Sequence, residues 1–213
     1  MEYPKIETLW NRDDRTHKVL PGVPRLAEFD NIKRWWVTEK IDGMNVRVIL
    51  APDGTVTYTG RTDDAQMPVP LLAYLSQAFP LTRLIDVFDI GQQVILFGEG
   101  YGGKIQKGGN YRHDSALRLF DVLVGQWWLE PDAVQDVASR FSVLTVPDLG
   151  VIDYLPHTAG ELTHILNCGH SVVSATEGGN SSYVGEGIVA RTVPLMFTRR
   201  GERVMWKLKF RDF

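Results

Sequence analysis

A chain of 213 residues, 44% hydrophobic and 23% charged, is long enough to bury one good core and short for two. No run approaches the roughly 18 apolar residues of a membrane span, Met1-Glu2-Tyr3-Pro4-Lys5 does not open a signal peptide, and the single Cys168 excludes an internal disulfide framework. With these three features the expectation is a soluble cytoplasmic protein with no membrane partner. The formal net charge of −3 speaks against indiscriminate nucleic-acid binding but leaves local recognition open.

Along the chain, Trp35 to Gly60 has the pattern of strands. Thr55-Val56-Thr57-Tyr58-Thr59 alternates with period two and follows the turn residues Pro52-Asp53-Gly54, which predicts a hairpin over 45–60. A helix is expected over Pro70–Phe79, and buried strands over Val94–Gly98 and Ala116–Leu129. Pro131 suits the first turn of a helix reaching about Phe141. Thr158 with Glu161 forms a capping-box pattern for a further helix toward Asn167, with Gly169 as its stop. Gly187–Val193 and Val204–Phe210 read as closing strands. With no linker, repeat or regular β-α-β alternation, the chain reads as one α+β domain, residues 1–213, built on mainly antiparallel sheets with peripheral helices.

The chemistry starts at Thr38-Glu39-Lys40-Ile41-Asp42-Gly43-Met44-Asn45, which contains Lys-x-Asp-Gly. That spacing arises by chance in roughly one unrelated chain of this length in twenty, so it needs company. Further short motifs follow in order: Gly60-Arg61-Thr62, Leu96-Phe97-Gly98-Glu99-Gly100, Leu119-Phe120-Asp121-Val122, Glu186-Gly187-Ile188-Val189-Ala190-Arg191 and Trp206-Lys207-Leu208-Lys209-Phe210. Together they resemble the covalent nucleotidyltransferase superfamily of ligases and capping enzymes, in particular its RNA ligase 2 branch, from about residue 35 to the carboxyl terminus.

The resemblance implies two packed, mainly antiparallel sheets of an ATP-grasp-like ligase fold with the nucleotide between them. It also implies a covalent lysyl-AMP on Lys40 and an ATP-dependent ligase joining 3′-hydroxyl and 5′-phosphate ends. Glu39, Ile41 and Asn45 flank the nucleophile at the nucleotide. Arg61 reaches ribose and phosphate, Glu99 holds the ribose hydroxyls and Phe120 stacks on adenine. Glu186 is the metal-associated acid for Mg2+ or Mn2+, and Lys207 and Lys209 lie beside the α-phosphate. Physical chemistry agrees with these roles. A lysine of ordinary pKa, about 10.4, is neutral in only about one molecule in 2,500 at pH 7, so neighbouring positive charge has to favour the amine. Lys207 and Lys209, two apart on a strand, share one face. Asn45 stands where DNA ligases and capping enzymes usually carry arginine, which favours the RNA branch. The loop Gly102–Arg112 also resembles that branch, and Lys104, Lys107 and Arg112 are candidates for ATP phosphates or the RNA backbone.

Two other patterns carry little. Gly98-Glu99-Gly100-Tyr101-Gly102-Gly103 has dinucleotide-fingerprint spacing, but no helix start follows it. His164, Cys168 and His170 lack the second ligand pair a zinc site needs. Asp13, Arg15, His17 and Lys18 form a polar cluster read as a surface loop, with a border of the nucleotide pocket as the alternative. The sequence runs four residues past Lys209, so the expectation is that the OB or helical domain of the relatives does not follow and that a partner replaces it. The expected substrate is RNA ends or a nicked RNA duplex, with DNA or a hybrid as alternatives. The rival readings are a minimal DNA ligase and a non-catalytic nucleotide- or RNA-binding module of the same fold.

Overall fold

The computed structural model describes residues 1–213. In chain order the first strands are β1 (Glu7–Thr8), β2 (Trp10–Arg12), β3 (Val19–Pro24), β4 (Trp35–Lys40), β5 (Met44–Leu50) and β6 (Val56–Thr59). They are followed by β7 (Val94–Tyr101), β8 (Ala116–Val124), β9 (Trp127–Trp128), β10 (Leu144–Thr145), β11 (Asp148–Ile152), β12 (Gly187–Thr192) and β13 (Met205–Lys209). Helices are α1 (Glu28–Asn31), α2 (Val69–Ala78), α3 (Leu81–Val87), α4 (Pro131–Arg140), α5 (Ala159–Ile165) and α6 (Val172–Thr176). The architecture is α+β with mainly antiparallel pairing, and no helix is long and apolar enough to cross a membrane.

The chain divides into two compact units: Met1–Tyr3 with Asp42–Val146, and Pro4–Ile41 with Pro147–Phe213. No change of composition marks the division, because one crossing falls between Ile41 and Asp42, inside the Lys-x-Asp-Gly motif itself.

The first unit carries the sheet β10-β8-β7-β5-β6, antiparallel except for β10 on β8. Alternation on these strands points Val46, Val48, Leu50, Val94, Leu96, Leu117, Leu119 and Val122 into a core closed by Leu71 and Leu75 of α2, Leu84 of α3 and Val134 and Val137 of α4. Each fully buried Leu or Val contributes about 1.5–3 kcal/mol, and a one-residue slip would expose a whole strand's set, so the register is firmly set. Asn45, Arg47, Glu99 and Arg118 therefore fall on the opposite face. A β-bulge between Phe97 and Gly98 leaves Phe120 as the extra residue of β8, which re-aims its side chain. The strand expected over 116–129 is interrupted at Gly125, in a left-handed conformation (φ 60°), and resumes as β9.

The second unit carries the sheet β1-β13-β12-β4-β11, parallel only where β1 meets β13, and the hairpin β2–β3. Trp35, Val37, Ile188, Ala190, Trp206 and Leu208 line its core with Leu162 of α5, and the rings of Trp35 and Trp206 lie 5.6 Å apart. The expected capping box forms: Thr158 Oγ1 accepts from Glu161 N at 3.1 Å, and the Glu161 carboxylate accepts from Thr158 N at 2.9 Å. Such a cap is worth about 1 kcal/mol. Beyond the expected elements, β1–β3, β10, β11, α1, α3 and α6 are all short, two to seven residues each.

Candidate active site

In the second unit, strand register sets a row of side chains on the face turned away from the core. Lys40 pairs across with Gly187, and Gly187 with Lys209. The row therefore reads lysine, no side chain, lysine. A Cβ at position 187 would fall onto the carbonyl oxygen of Leu208, so only glycine lets the strands close here. Glu186, next to this glycine, bridges the two cations. Its Oε2 accepts from Lys40 Nζ at 2.7 Å, and its Oε1 is ion-paired with Lys209 Nζ. All three side chains are largely shielded, at 21% exposed for Lys40, 11% for Glu186 and 13% for Lys209, so this charge cluster is screened less by solvent than a surface pair.

Lys207 occupies the next position of the same face, in a row with Val189 and Thr38. Burial, and then the positive charges of Lys209 and Lys40, hold its pKa below the ordinary lysine value of 10.5, against smaller opposing pulls from Glu7 and Asp212. Lys207 and Lys209 open onto a cavity of about 490 Å3 that is also lined by Arg12, Thr16, His17, Lys18, Arg211 and Asp212. The one carboxylate there is already occupied: Asp212 Oδ1 accepts from Arg12 Nη2 at 2.7 Å and Oδ2 from Lys209 N at 2.9 Å. Apart from Asp212, which is engaged by Arg12 and the Lys209 backbone, the charged residues lining the cavity are cations, the setting for a polyanion. The loop expected at the surface divides. His17 and Lys18 line the cavity, whereas Asp13 folds back to accept from the backbone of Arg15 and Thr16.

Glu39 and Ile41, neighbours of Lys40, are placed differently from it. Successive strand residues alternate, so Glu39 faces the core side, 1% exposed, where its carboxylate accepts from Ser171 Oγ, Val172 N at 2.9 Å and Val173 N at 3.3 Å. It holds the start of α6. Ile41 is buried, at 2% exposed.

In the first unit the register places Asn45, Glu99 and Arg118 side by side on β5, β7 and β8. Glu99 Oε1 accepts from Gly43 N at 3.1 Å, and the Tyr111 hydroxyl accepts from Asp42 N at 2.9 Å, so the turn that ends the lysine motif is pinned by two side chains. Gly43 is obligatory there, because a Cβ would meet the Gly100 carbonyl oxygen. Asn45 Oδ1 is buried with no partner, a costly state unless a ligand donates to it. Phe120, half-buried on its bulge, meets the Tyr3 ring edge-on at 4.9 Å, and the Tyr3 hydroxyl donates to the buried Asp121 at 2.5 Å. Arg61 is exposed on the loop after β6, Lys104 and Lys107 are exposed on the loop after β7, and Arg112 is half-buried at its end. The structure thus brings Lys40, Glu186, Lys207 and Lys209 together in one unit, and Asn45 and Glu99 together in the other.

Sequence reasoning missed Arg12 and Asp212, which no local pattern marks. It also missed Arg118, whose signal is a charge between Leu117 and Leu119 in a mostly apolar strand. Arg118 Nε donates to Tyr101 Oη at 3.2 Å and Nη1 to Thr145 O at 2.8 Å.

Two mainly antiparallel sheets, one bearing a lysine–glutamate–lysine row and the other an asparagine–glutamate row, define an RNA ligase-like nucleotidyltransferase. The chain belongs to the RNA ligase family, whose model matches residues 33–209 and so runs through both units. Its fold is similar to that of a Naegleria gruberi RNA ligase mutant with ATP and Mn, at a TM-score of 0.67 and 19% identity, over 98% of this chain and 56% of that one. It is similar to another mutant with AMP and Mn, at 0.67 and 18% over 98% and 56%, and to the same ligase with PPi, at 0.64 and 19% over the same shares. The chain therefore spans little more than half the length of these solved relatives. No curated protein sequence matches it.

Proposed function

We propose that this protein is an ATP-dependent RNA ligase that works through a lysyl-AMP on Lys40. The observation that carries this is the row in which Lys40 and Lys209 share the carboxylate of Glu186 across Gly187. An ordinary surface lysine has no such company. Lys40 Nζ attacks the α-phosphorus of ATP. The N–P bond forms, the bond to the bridging oxygen breaks, and pyrophosphate leaves with the electron pair while the amine gives its proton to solvent. AMP then passes to a 5′-phosphate end of the RNA, and attack by a 3′-hydroxyl joins the ends and releases AMP.

The donor chemistry of each unit supports a share of this work. Lys207 and Lys209, with Arg12, Lys18 and Arg211 around the 490 Å3 cavity, suit a triphosphate whose charge they would neutralise as it builds on the leaving group. Glu99 suits ribose hydroxyls, and the unpartnered Oδ1 of Asn45 suits an N–H or O–H of the nucleoside. Phe120 would stack on the base, an interaction worth about 1–3 kcal/mol. Glu186 is the carboxylate to which Mg2+ or Mn2+ would bind, and the ion would supply charge neutralisation at the phosphoryl oxygens. Exposed Lys104 and Lys107, with Arg112, would contact the RNA backbone. A cytoplasmic location, where ATP and RNA ends meet, is part of the same reading.

The test is joining of matched nicks in RNA, DNA and hybrid duplexes by the purified chain with ATP and magnesium. Sealing of the RNA nick, lost in Lys40→Ala, is the expected result. Equal or better sealing of DNA would transfer the protein to the DNA ligases.

A further inference from the structure

Arg47 is the one arginine among the largest fully buried side chains, 1% exposed in the middle of β5, on the face that also presents Asn45. A strand position this deep normally holds an apolar residue, because a guanidinium loses its hydration on burial. Its donors account for its presence. Nε donates to Gly60 O at 2.8 Å, Nη2 to Asp63 Oδ1 at 2.7 Å and Nη1 to Met1 O at 3.1 Å. Gly60 and Asp63 bracket Arg61 and Thr62, so one planar fork grips the Arg61 loop at both ends. Two further contacts fix the loop between those ends. Thr59 Oγ1 donates to Thr62 O at 3.1 Å, and Gly60 sits so close to Ala65 that a Cβ there would lie 2.6 Å from the Ala65 Cβ. Arg61 itself is exposed, carried on a loop whose geometry Arg47 sets.

We infer that Arg47, with Asp63, is a positioning pair for Arg61, fixing where its guanidinium meets the nucleotide; this rests on the ATP-binding part of the proposed function. The pair is asymmetric, with Arg47 sealed in the unit and the Asp63 side chain 87% exposed. Asp63→Asn therefore removes the charge pairing with little risk to folding, whereas Arg47→Lys keeps a charge but loses the fork. Neither side chain needs to touch ATP.

The experiment is a double-mutant cycle on the full chain with Asp63→Asn, Arg47→Lys and Arg61→Ala. It is read in parallel as lysyl-AMP formation against ATP concentration and as equilibrium ATP binding by calorimetry. Asp63→Asn is expected to raise both the half-saturating ATP concentration and the Kd by about 3- to 10-fold, the size of a partly exposed charged hydrogen bond, with maximal rate and melting temperature nearly unchanged. In the Arg61→Ala background the same change should add less than about twofold, because the loop then carries nothing to position. An unchanged Kd in folded Asp63→Asn, or effects that simply multiply, would overturn the inference. A wild-type chain that binds ATP but forms no lysyl-AMP breaks the proposed activity alone, since the binding cycle still decides on Arg47. A wild-type chain that does not bind ATP overturns both.

Discussion

The two units solve the same problem in opposite ways. Each spends one face of an antiparallel sheet on an apolar core and offers polar residues on the other. In the second unit those residues are charges satisfied by one another, Lys40 and Lys209 on Glu186. In the first they are anchored by backbone, Glu99 on Gly43 N and Tyr111 on Asp42 N, with Asn45 Oδ1 left over. Mutually paired charges can exchange partners when a polyanion or a cation arrives, which suits a reacting centre. A carboxylate pinned to a glycine turn stays put, which suits recognition. The contrast predicts that mutations in the Lys40–Glu186–Lys209 row act on rate and those at Glu99 and Asn45 on affinity.

The largest expected effect is at Glu186. Glu186→Gln removes the charge that organises both lysines and should slow lysine adenylylation by about 100-fold or more in single-turnover assays, with little change in ATP binding. Next is Gly187→Ala, whose new methyl has nowhere to go but the Leu208 carbonyl. Overpacking of this kind costs about 1–3 kcal/mol, so a melting temperature lower by several degrees is expected, along with loss of label. Glu99→Gln tests the other half of the comparison. It should weaken ATP binding by about tenfold, measured calorimetrically, while the rate at saturation falls much less. A rate effect larger than the affinity effect there would erase the distinction between the units.

The smallest effect separates stability from function within one residue. Lys207 carries a lowered pKa, so its charged form is disfavoured in the folded chain. The penalty is present below that folded pKa and disappears as pH rises from it toward the ordinary lysine value of 10.5. Lys207→Met should therefore melt about a degree or two higher than wild type at neutral pH while binding ATP less well, and the gap in melting temperature should close as pH approaches 10.5. A gap that widens with pH would reverse the sign of the argument.

What the sequence disclosed and what it hid follow from the range of the interactions. The α5 capping box, the turn before β6 and the alternation of β12 and β13 are local, and Thr158, Gly54 and Lys207–Lys209 announce them within a few residues. The lysine row depends on register among β4, β12 and β13, which are separated by up to about 170 residues, and it was legible only through the ordered motifs. The core-side position of Glu39 follows from strand alternation, yet its partners Ser171, Val172 and Val173 lie 132 to 134 residues away and leave no local trace. Asp212 and Arg12 are 200 residues apart, and Arg47 reads in sequence as one more polar strand residue. The division at Ile41–Asp42 was invisible because it coincides with the motif rather than with a linker.

The most direct measurement is incubation of the purified chain with ATP labelled at the α-phosphate and magnesium, followed by a denaturing gel, with Lys40→Ala alongside and GTP as a comparison. Label that stays with the wild-type chain from ATP, is absent in Lys40→Ala and maps to the peptide containing Lys40 is the predicted result. A folded wild-type chain that acquires no label with pyrophosphate removed, or one whose label persists in Lys40→Ala, would contradict Lys40 as the nucleophile.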